Sequence, residues 1–373
     1  MSTEQLPGAA TEAGQRKFPC GSCGALLVFD PSVAELKCPY CQHVTPIPQT
    51  EADIQELDYA AILEQTAGES TVLDHHAVKC PVCGAETALD KNIAYGLCPF
   101  CNAQLKDDAA AKRSIQPAAL LPFKVTKADA LNKFRAWMSS LWFAPSGLQA
   151  YARADDRLHG LYTPYWTYDA DATSFYRGER GDDYWETETY TEVENGRTVT
   201  KTRQVRKTRW WPVSGTVYND FNDVLVLASR SLPKDLTDKL EPWDLENLLP
   251  FKEDYLSGFR AECYSVSLPE GFVEARRIMD EAIRETVCKD IGGDHQRINV
   301  VKSQFADITF KHLLLPVWMS AFQYHDKTYR FVVNARTGEV QGERPYSFWK
   351  IFGAVTSAVV AIGALVFFLS RHH

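Results

Sequence analysis

Apolar positions along this chain follow two rhythms, and the order in which they occur is repeated. Leu120 to Val125 is a short apolar run that reads as a strand. Thr126 and Asp129 then form a capping-box-like start, and Leu131, Phe134, Met138 and Leu141 recur at helical spacing. Leu161 to Ala170, built around Pro164-Tyr-Trp166, reads as a second strand. The same order returns later. Cys263 to Val266 is strand-like, Ser267 and Glu270 make another capping box, and Phe272, Ala275, Met279, Ile283 and Val287 mark one helix face, closed by Gly292-Gly293. Strand character resumes from Arg297 to Phe310 and from Leu313 to Tyr324, around Pro316-Val-Trp318. A short strand, Tyr329 to Val333, leads into a turn at Asn334 to Gly338. The pattern predicts two related α+β halves.

Between the halves the apolar rhythm stops. Asn195-Gly196 is a strong two-residue turn signal. A hairpin closed there sets Glu194 opposite Arg197, Glu188 opposite Arg203, Asp182 opposite Arg209, Tyr190 opposite Lys201 and Tyr184 opposite Lys207. Its other face carries Thr187, Thr189, Thr191, Thr198, Thr200 and Thr202. Neither face is apolar, so this segment is expected to project into solvent as an arm of roughly 40 Å. The six cations between Arg197 and Arg209 are matched by six carboxylates between Asp182 and Glu194, which argues for self-pairing over a nucleic-acid patch.

At the C-terminal end, Ile351 to Leu369 carries no ionisable group. As a helix it would extend roughly 28 Å, close to the hydrocarbon thickness of a bilayer. Tyr346, Trp349 and Lys350 precede it as interfacial residues, and Arg371 closes it. The expectation is a single transmembrane helix over 349–369 acting as a tail anchor. Gly353, Ser357 and Ala361 form a small-residue stripe on which two such helices could meet to give a homo-oligomer. Residues 1 to 19 hold no apolar segment of the secretory type.

Composition adds one asymmetry. The chain has 373 residues, 24% charged and 45% hydrophobic, with a net charge of -8, which argues against bulk attraction to nucleic acid. It has ten cysteines, and eight lie before residue 102. Cys20-Gly-Ser-Cys23 and Cys38-Pro-Tyr-Cys41 are followed, at the same internal spacing, by Cys80-Pro-Val-Cys83 and Cys98-Pro-Phe-Cys101. Four thiolates from two such pairs can converge on one tetrahedral ion, and a closed four-sulfur site is structural, without an open position for catalysis. Two structural Zn²⁺ are expected; iron in a rubredoxin-like site uses the same four sulfurs. Paired thiols that hold metal fit a reducing compartment, which places the bulk of the chain on the cytoplasmic side of the inner membrane. Arg16 to Pro48 and His76 to Lys106 each contain three Lys/Arg against two Asp/Glu, so neither ribbon presents a basic face and both read as protein-docking knobs. His43, His75 and His76 read as surface residues.

No phosphate loop, dinucleotide fingerprint, zincin motif or nucleophile elbow occurs. Cys263 and Cys288 read as structural, and no catalytic constellation emerges, so the chain is not expected to be an enzyme. The aromatics Tyr165, Trp166, Tyr168, Phe175, Tyr176, Trp210 and Trp211 read as sheet core, with a ligand groove as the other option.

Two four-cysteine ribbons, then LPFKVTKADALNKFRAWMSSLWFAPSGL, LYTPYWTYDA with FYRGERGDDY, and RFVVNARTGEVQGERPYSFWK before an apolar tail: across nearly the whole chain this resembles a family of bacterial zinc-ribbon membrane proteins. That family is frequently labelled as the primosomal protein N-prime (replication factor Y) superfamily II helicase. A helicase needs a phosphate loop for ATP, and only the paired cysteines are shared with that enzyme. The resemblance implies association with flotillin-like SPFH proteins and PspA-like proteins, and hence an adaptor in envelope stress or membrane-domain organisation. An accessory protein of replication or repair is the alternative. The expected architecture is α+β: a disordered tail (1–15), ribbon 1 (16–48), a linker (49–75), ribbon 2 (76–106), a second linker (107–119), a mixed body (120–345) with its hairpin arm (182–209), and the transmembrane helix.

Overall fold

A computed structural model describes residues 18–48, 53–67, 73–80, 86–88, 95–97, 104–106, 110–145, 158–194, 197–324 and 327–371. Ribbon 1 is a three-stranded antiparallel sheet of β1 (Val28–Asp30), β2 (Glu35–Lys37) and β3 (Val44–Thr45). The linker then forms β4 (Leu57–Asp58) and α1 (Tyr59–Ala67). Next come β5 (Leu73–Lys79), β6 (Glu86–Ala88), β7 (Tyr95–Leu97), β8 (Gln104–Lys106) and β9 (Ala110–Ser114). Because β9 pairs with β5, strand pairing extends past the expected ribbon 2 limits of 76 and 106.

The body is a nine-stranded sheet among the described residues, with central order β12-β11-β15-β10-β13. In chain order its elements are β10 (Ala119–Leu120), α2 (Lys127–Ser140), β11 (His159–Glu194), β12 (Arg197–Leu227), α3 (Lys234–Thr237), β13 (Leu249–Pro250), β14 (Arg260–Ala261), α4 (Leu268–Ile291), β15 (His295–Tyr324), β16 (Lys327–Asn334), β17 (Val340–Gly342) and α5 (Phe348–Arg371). Several expectations are corrected. The strand expected at Leu120 to Val125 stops after Leu120, where Pro122 offers no N–H to a ladder. The strand expected at Cys263 to Val266 sits earlier, at Arg260–Ala261. The two strands expected after Arg297 are one continuous strand, β15, paired with β11 from His295 to Met319 across two bulges.

The two halves are related by an approximate twofold at the Thr163–Leu315 pair. Pro164 pairs with Leu314 and Pro316 with Tyr162, so the twofold exchanges the two Pro-x-Trp segments. It also exchanges the short flanking strands: β10 runs parallel to β15 at Leu313 and Leu314, and β14 parallel to β11 at Leu161 and Tyr162. Pro164 accepts from the Ala228 N–H at 3.0 Å, and Pro316 from the Ala335 N–H at 3.0 Å. Each proline therefore turns its imide nitrogen to the side where one neighbouring strand has ended and the next begins, the position where a missing donor costs least.

Both helices start as expected. Thr126 accepts from the Asp129 N–H at 3.2 Å, and Ser267 and Glu270 form a complete capping box. Ala275, Met279, Ile283, Val287 and Ile291 form the buried stripe of α4 on the sheet. At Gly271 a Cβ would collide with the Tyr168 hydroxyl and the Trp166 ring, so glycine is what lets α4 approach the sheet this closely.

The hairpin has the expected register throughout: Glu194–Arg197, Tyr190–Lys201, Glu188–Arg203, Tyr184–Lys207 and Asp182–Arg209 are all opposite one another. The turn residues 195–196 lie outside the described residues. The third strand, β15, leaves at Gly181–His295, so the two-stranded arm begins where its charge pattern does. Side-chain partners are partly diagonal. Arg203 meets Glu188 at 3.2 Å but also lies over Tyr190, and Arg209 stacks 4.9 Å from the Tyr184 ring. The twist of a two-stranded ribbon brings such neighbours into reach.

The apolar C-terminal run lies in one helix, α5. Among the described residues no helix is long and apolar enough to cross a membrane. The side chains of α5 are described as far as Gly363, and all from Ile351 to that point are exposed.

Candidate functional site

Each half of ribbon 1 is a small knuckle. In the first, the Cys20 N–H donates to Ala25 at 2.7 Å and the Gly24 N–H to Cys20 at 2.8 Å. The second repeats this, from the Cys38 N–H to His43 at 2.9 Å and from the Gln42 N–H to Cys38 at 3.0 Å. The residue after each cysteine pair, Gly24 or Gln42, takes a positive φ of 75° or 61°. Only Gly24 does so without steric penalty. His43 thus contributes its carbonyl, and its side chain is exposed.

These knuckles bring Cys20, Cys23, Cys38 and Cys41 together, with all four sulfurs within 4.8 Å of one another. Sγ–Sγ separations of 3.5 Å, between Cys20 and Cys41 and between Cys23 and Cys38, approach the edge of about 3.8 Å that tetrahedral Zn–S bonds require. The Ser22 N–H donates to the Cys20 sulfur and the Cys41 N–H to the Cys38 sulfur, as suits thiolates. The Cys41 and Tyr40 N–H groups bring the Cys38 thiol down to about 6 against the opposing effect of burial. At Cys41 the His43 N–H pulls the other way, but burial and the neighbouring thiols push it up to about 12. Four sulfurs gathered this closely form an acceptor for a thiophilic cation. The donor set and spacing fit zinc, and all four ligand positions are protein sulfur. Of the second quartet, Cys80 is buried; Cys83, Cys98 and Cys101 lie outside the described residues.

Ribbon 1 is not a free knob. Cys20, Leu27, Phe29, Leu36, Cys38 and Ile47 belong to the same apolar cluster as Phe123, Tyr162 and Trp318 of the body. The Phe29 N–H donates to Ser257 at 2.9 Å, and the Ser257 hydroxyl returns a bond to Leu27 at 2.7 Å. The metal centre is thereby seated on the sheet, with its second knuckle outward: Tyr40 is 81% exposed.

Of the clustered aromatics, Tyr165, Trp166, Tyr168 and Tyr176 are core, whereas Phe175 and Trp211 are exposed. Cys263 and Cys288 are half-buried.

One charged cluster was not foreseen. Lys311, almost wholly buried, pairs with Glu56 at 2.7 Å, Asp223 at 2.8 Å and Asp169 at 3.7 Å. The strands bulge at this level, with Asp223 and Asp307 at positive φ. The Lys311 ammonium holds the Glu56 carboxyl far below its ordinary range, to about 2. Burial lifts Asp169 to about 6. A lone lysine inside the apolar run TFKHLLLPVW was the signal for this cluster in the sequence.

No family model matches the chain, and no solved structure matches it. It is 28% identical over 247 residues to the uncharacterized protein YdjG of Bacillus subtilis (strain 168), a match covering 64% of this chain and 66% of that protein. The match thus spans just under two thirds of that relative's length.

Proposed function

We propose that this chain is a membrane-anchored zinc-ribbon adaptor that presents protein-docking surfaces next to a bilayer, on its cytoplasmic side. The observation that carries this reading is α5. Val355, Val359, Val360 and Ile362 stand 58–65% exposed around it, an apolar helix surface that no described residue covers. Such a surface is expected of a helix whose solvent is lipid. At its foot, Trp142 and Phe143 join Tyr346, Phe348 and Trp349 as exposed aromatics, the side chains that favour a membrane interface. The Ser347 N–H donates to Phe143 at 2.8 Å and the Lys350 ammonium to Ala144 at 2.8 Å, which ties the body to the start of the helix. Gly353, Ser357 and Ala361 are exposed and free to meet a second copy. Both cysteine quartets would hold Zn²⁺, the second by its identical spacing. The ribbons and arm would serve as docking sites, with SPFH- or PspA-like proteins as partners by resemblance.

The test is fractionation of the full-length protein beside a variant lacking residues 348–373. Retention of the full chain in membranes after carbonate extraction, with release of the truncated chain, is expected; a soluble full-length protein would refute the anchor. Elemental analysis should give two zinc per chain, falling to one for Cys38→Ser. Pull-downs whose partners survive unchanged in Cys38→Ser would refute docking through ribbon 1.

A further inference from the structure

Between the bulges near Asp169 and the root of the arm, β12, β11 and β15 run as one antiparallel segment with a single covered face. On that face Ala172 and Tyr176 are buried with Ile283 and Val287 of α4. The opposite face holds the alternate residues, all of them exposed, in four successive rows. Asp171 stands between Asp220 and Ala306, and Thr173 between Tyr218 and Gln304. Phe175 stands between Thr216 and Lys302, and Arg177 between Ser214 and Val300.

Water alone does not account for this face. A solvated side of an antiparallel sheet is usually polar, yet Phe175, Tyr218 and Val300 are exposed large side chains here. Asp171 and Asp220 lie directly opposite one another, an arrangement that costs a sheet stability. Among the described residues neither has an ion-pair partner, and neither do Arg177 and Lys302 two to three rows away. Arg177 lies 5.7 Å from the Phe175 ring, and that is its aromatic contact within the row pattern. The face is therefore acidic at one end, basic at the other and aromatic between. From Asp171 to Arg177 is roughly 20 Å at 3.4 Å per residue.

We infer that this open face is a docking surface for a second copy of the chain, stacked sheet to sheet. A twofold axis lying between the sheets, across the strands and level with Ser174, sets each strand antiparallel on its own copy, about 10 Å away. Asp171 then faces Arg177 of the second copy, and Asp220 faces Ser214. Ala306 faces Val300, Thr173 faces Phe175, Tyr218 faces Thr216, and Gln304 faces Lys302. Every row meets a complementary one. A twofold along the strands would instead set Asp171 on Asp171, so the charges select the first axis. Nucleic acid or an anionic membrane would meet Asp171 and Asp220 with like charge, which disfavours both as occupants. This interface is separate from α5, and the inference does not rest on the anchor.

The test uses the full-length protein in detergent with benzoylphenylalanine in place of Val300, as an equal mixture of ¹⁵N-labelled and unlabelled chains. Irradiation should give cross-links that join one labelled and one unlabelled chain, from position 300 to the segment holding Ala306. Asp171→Arg or Arg177→Asp alone should lower their yield about tenfold or more, and the two together should restore it, because the exchange rebuilds opposite pairs. Both side chains are exposed, so the fold does not depend on them, and circular dichroism of each variant checks this. Absence of mixed-label cross-links to that segment would overturn the inference, as would dimers made through α5 alone, which give none. Equal yields from the single variants, or a double variant no better than they are, would overturn it as well.

Discussion

The indole nitrogen of Trp318 donates to the carbonyl of Val125 at 2.8 Å, and that of Trp166 donates to Val266 at 3.0 Å. Val125 and Val266 are the residues just before the two helix caps, so each half's tryptophan secures the other half's helix start. The backbone repeats the exchange. The Lys124 and Val125 N–H groups donate to Ala335, and those of Ser265 and Val266 donate to Ala228. Two copies of one motif are thus interlocked, each bonding the residues just before the other's helix cap.

Trp166→Phe and Trp318→Phe should therefore have matching effects. Each leaves a carbonyl without its indole donor, at a cost of about 1–3 kcal/mol, with lost packing added. Urea unfolding monitored by far-ultraviolet circular dichroism measures this. A large loss at one site with none at the other would contradict the interlocked symmetry.

Gly271→Ala tests the approach of α4 to the sheet. In an exposed helix the change would stabilise by up to about 1 kcal/mol. Here the added methyl meets Tyr168 and Trp166, so a net loss of about 1–3 kcal/mol is expected from overpacking. A higher unfolding midpoint for the variant would contradict the close approach.

The Lys311 cluster makes a pH-dependent prediction. Glu56 has a depressed carboxyl, so its contribution is complete above its ordinary value of 4.5 and is lost as pH falls through about 2. Glu56→Gln should lower the thermal midpoint at pH 7, and the gap to wild type should close as pH falls from about 4.5 toward 2. Lys311→Met should be far more harmful, about 3–5 kcal/mol, because Asp169 and Asp223 would keep their burial and lose their cation. A constant gap across pH would remove the Glu56–Lys311 pair as its origin.

The arm should be separable from the fold. Asp183, near its root, bonds Thr208 at 2.7 Å and His295 at 3.2 Å, whereas beyond Trp185 and Arg206 the two strands pair only with each other. Replacing residues 186–205 with Asn-Gly should change stability by no more than about 0.5 kcal/mol, as for exposed sites generally. Differential scanning calorimetry reads this directly, and a large drop would place the arm within the cooperative unit.

What the sequence determined by itself was local. Cysteine spacing placed four sulfurs around one point, because a knuckle spans only six residues, Cys20 to Ala25. Capping boxes placed both helix starts, since each rests on residues three apart. Even the arm's register followed from one turn, because adjacent strands leave no choice once Asn195-Gly196 sets the phase. The tertiary structure decided whatever joins distant parts of the chain. Seating ribbon 1 on Ser257, drawing Glu56 to Lys311 and locking Trp318 to Val125 all depend on closing long loops. The entropy of that closure is repaid only when many buried contacts form together, so no short pattern of residues announces them.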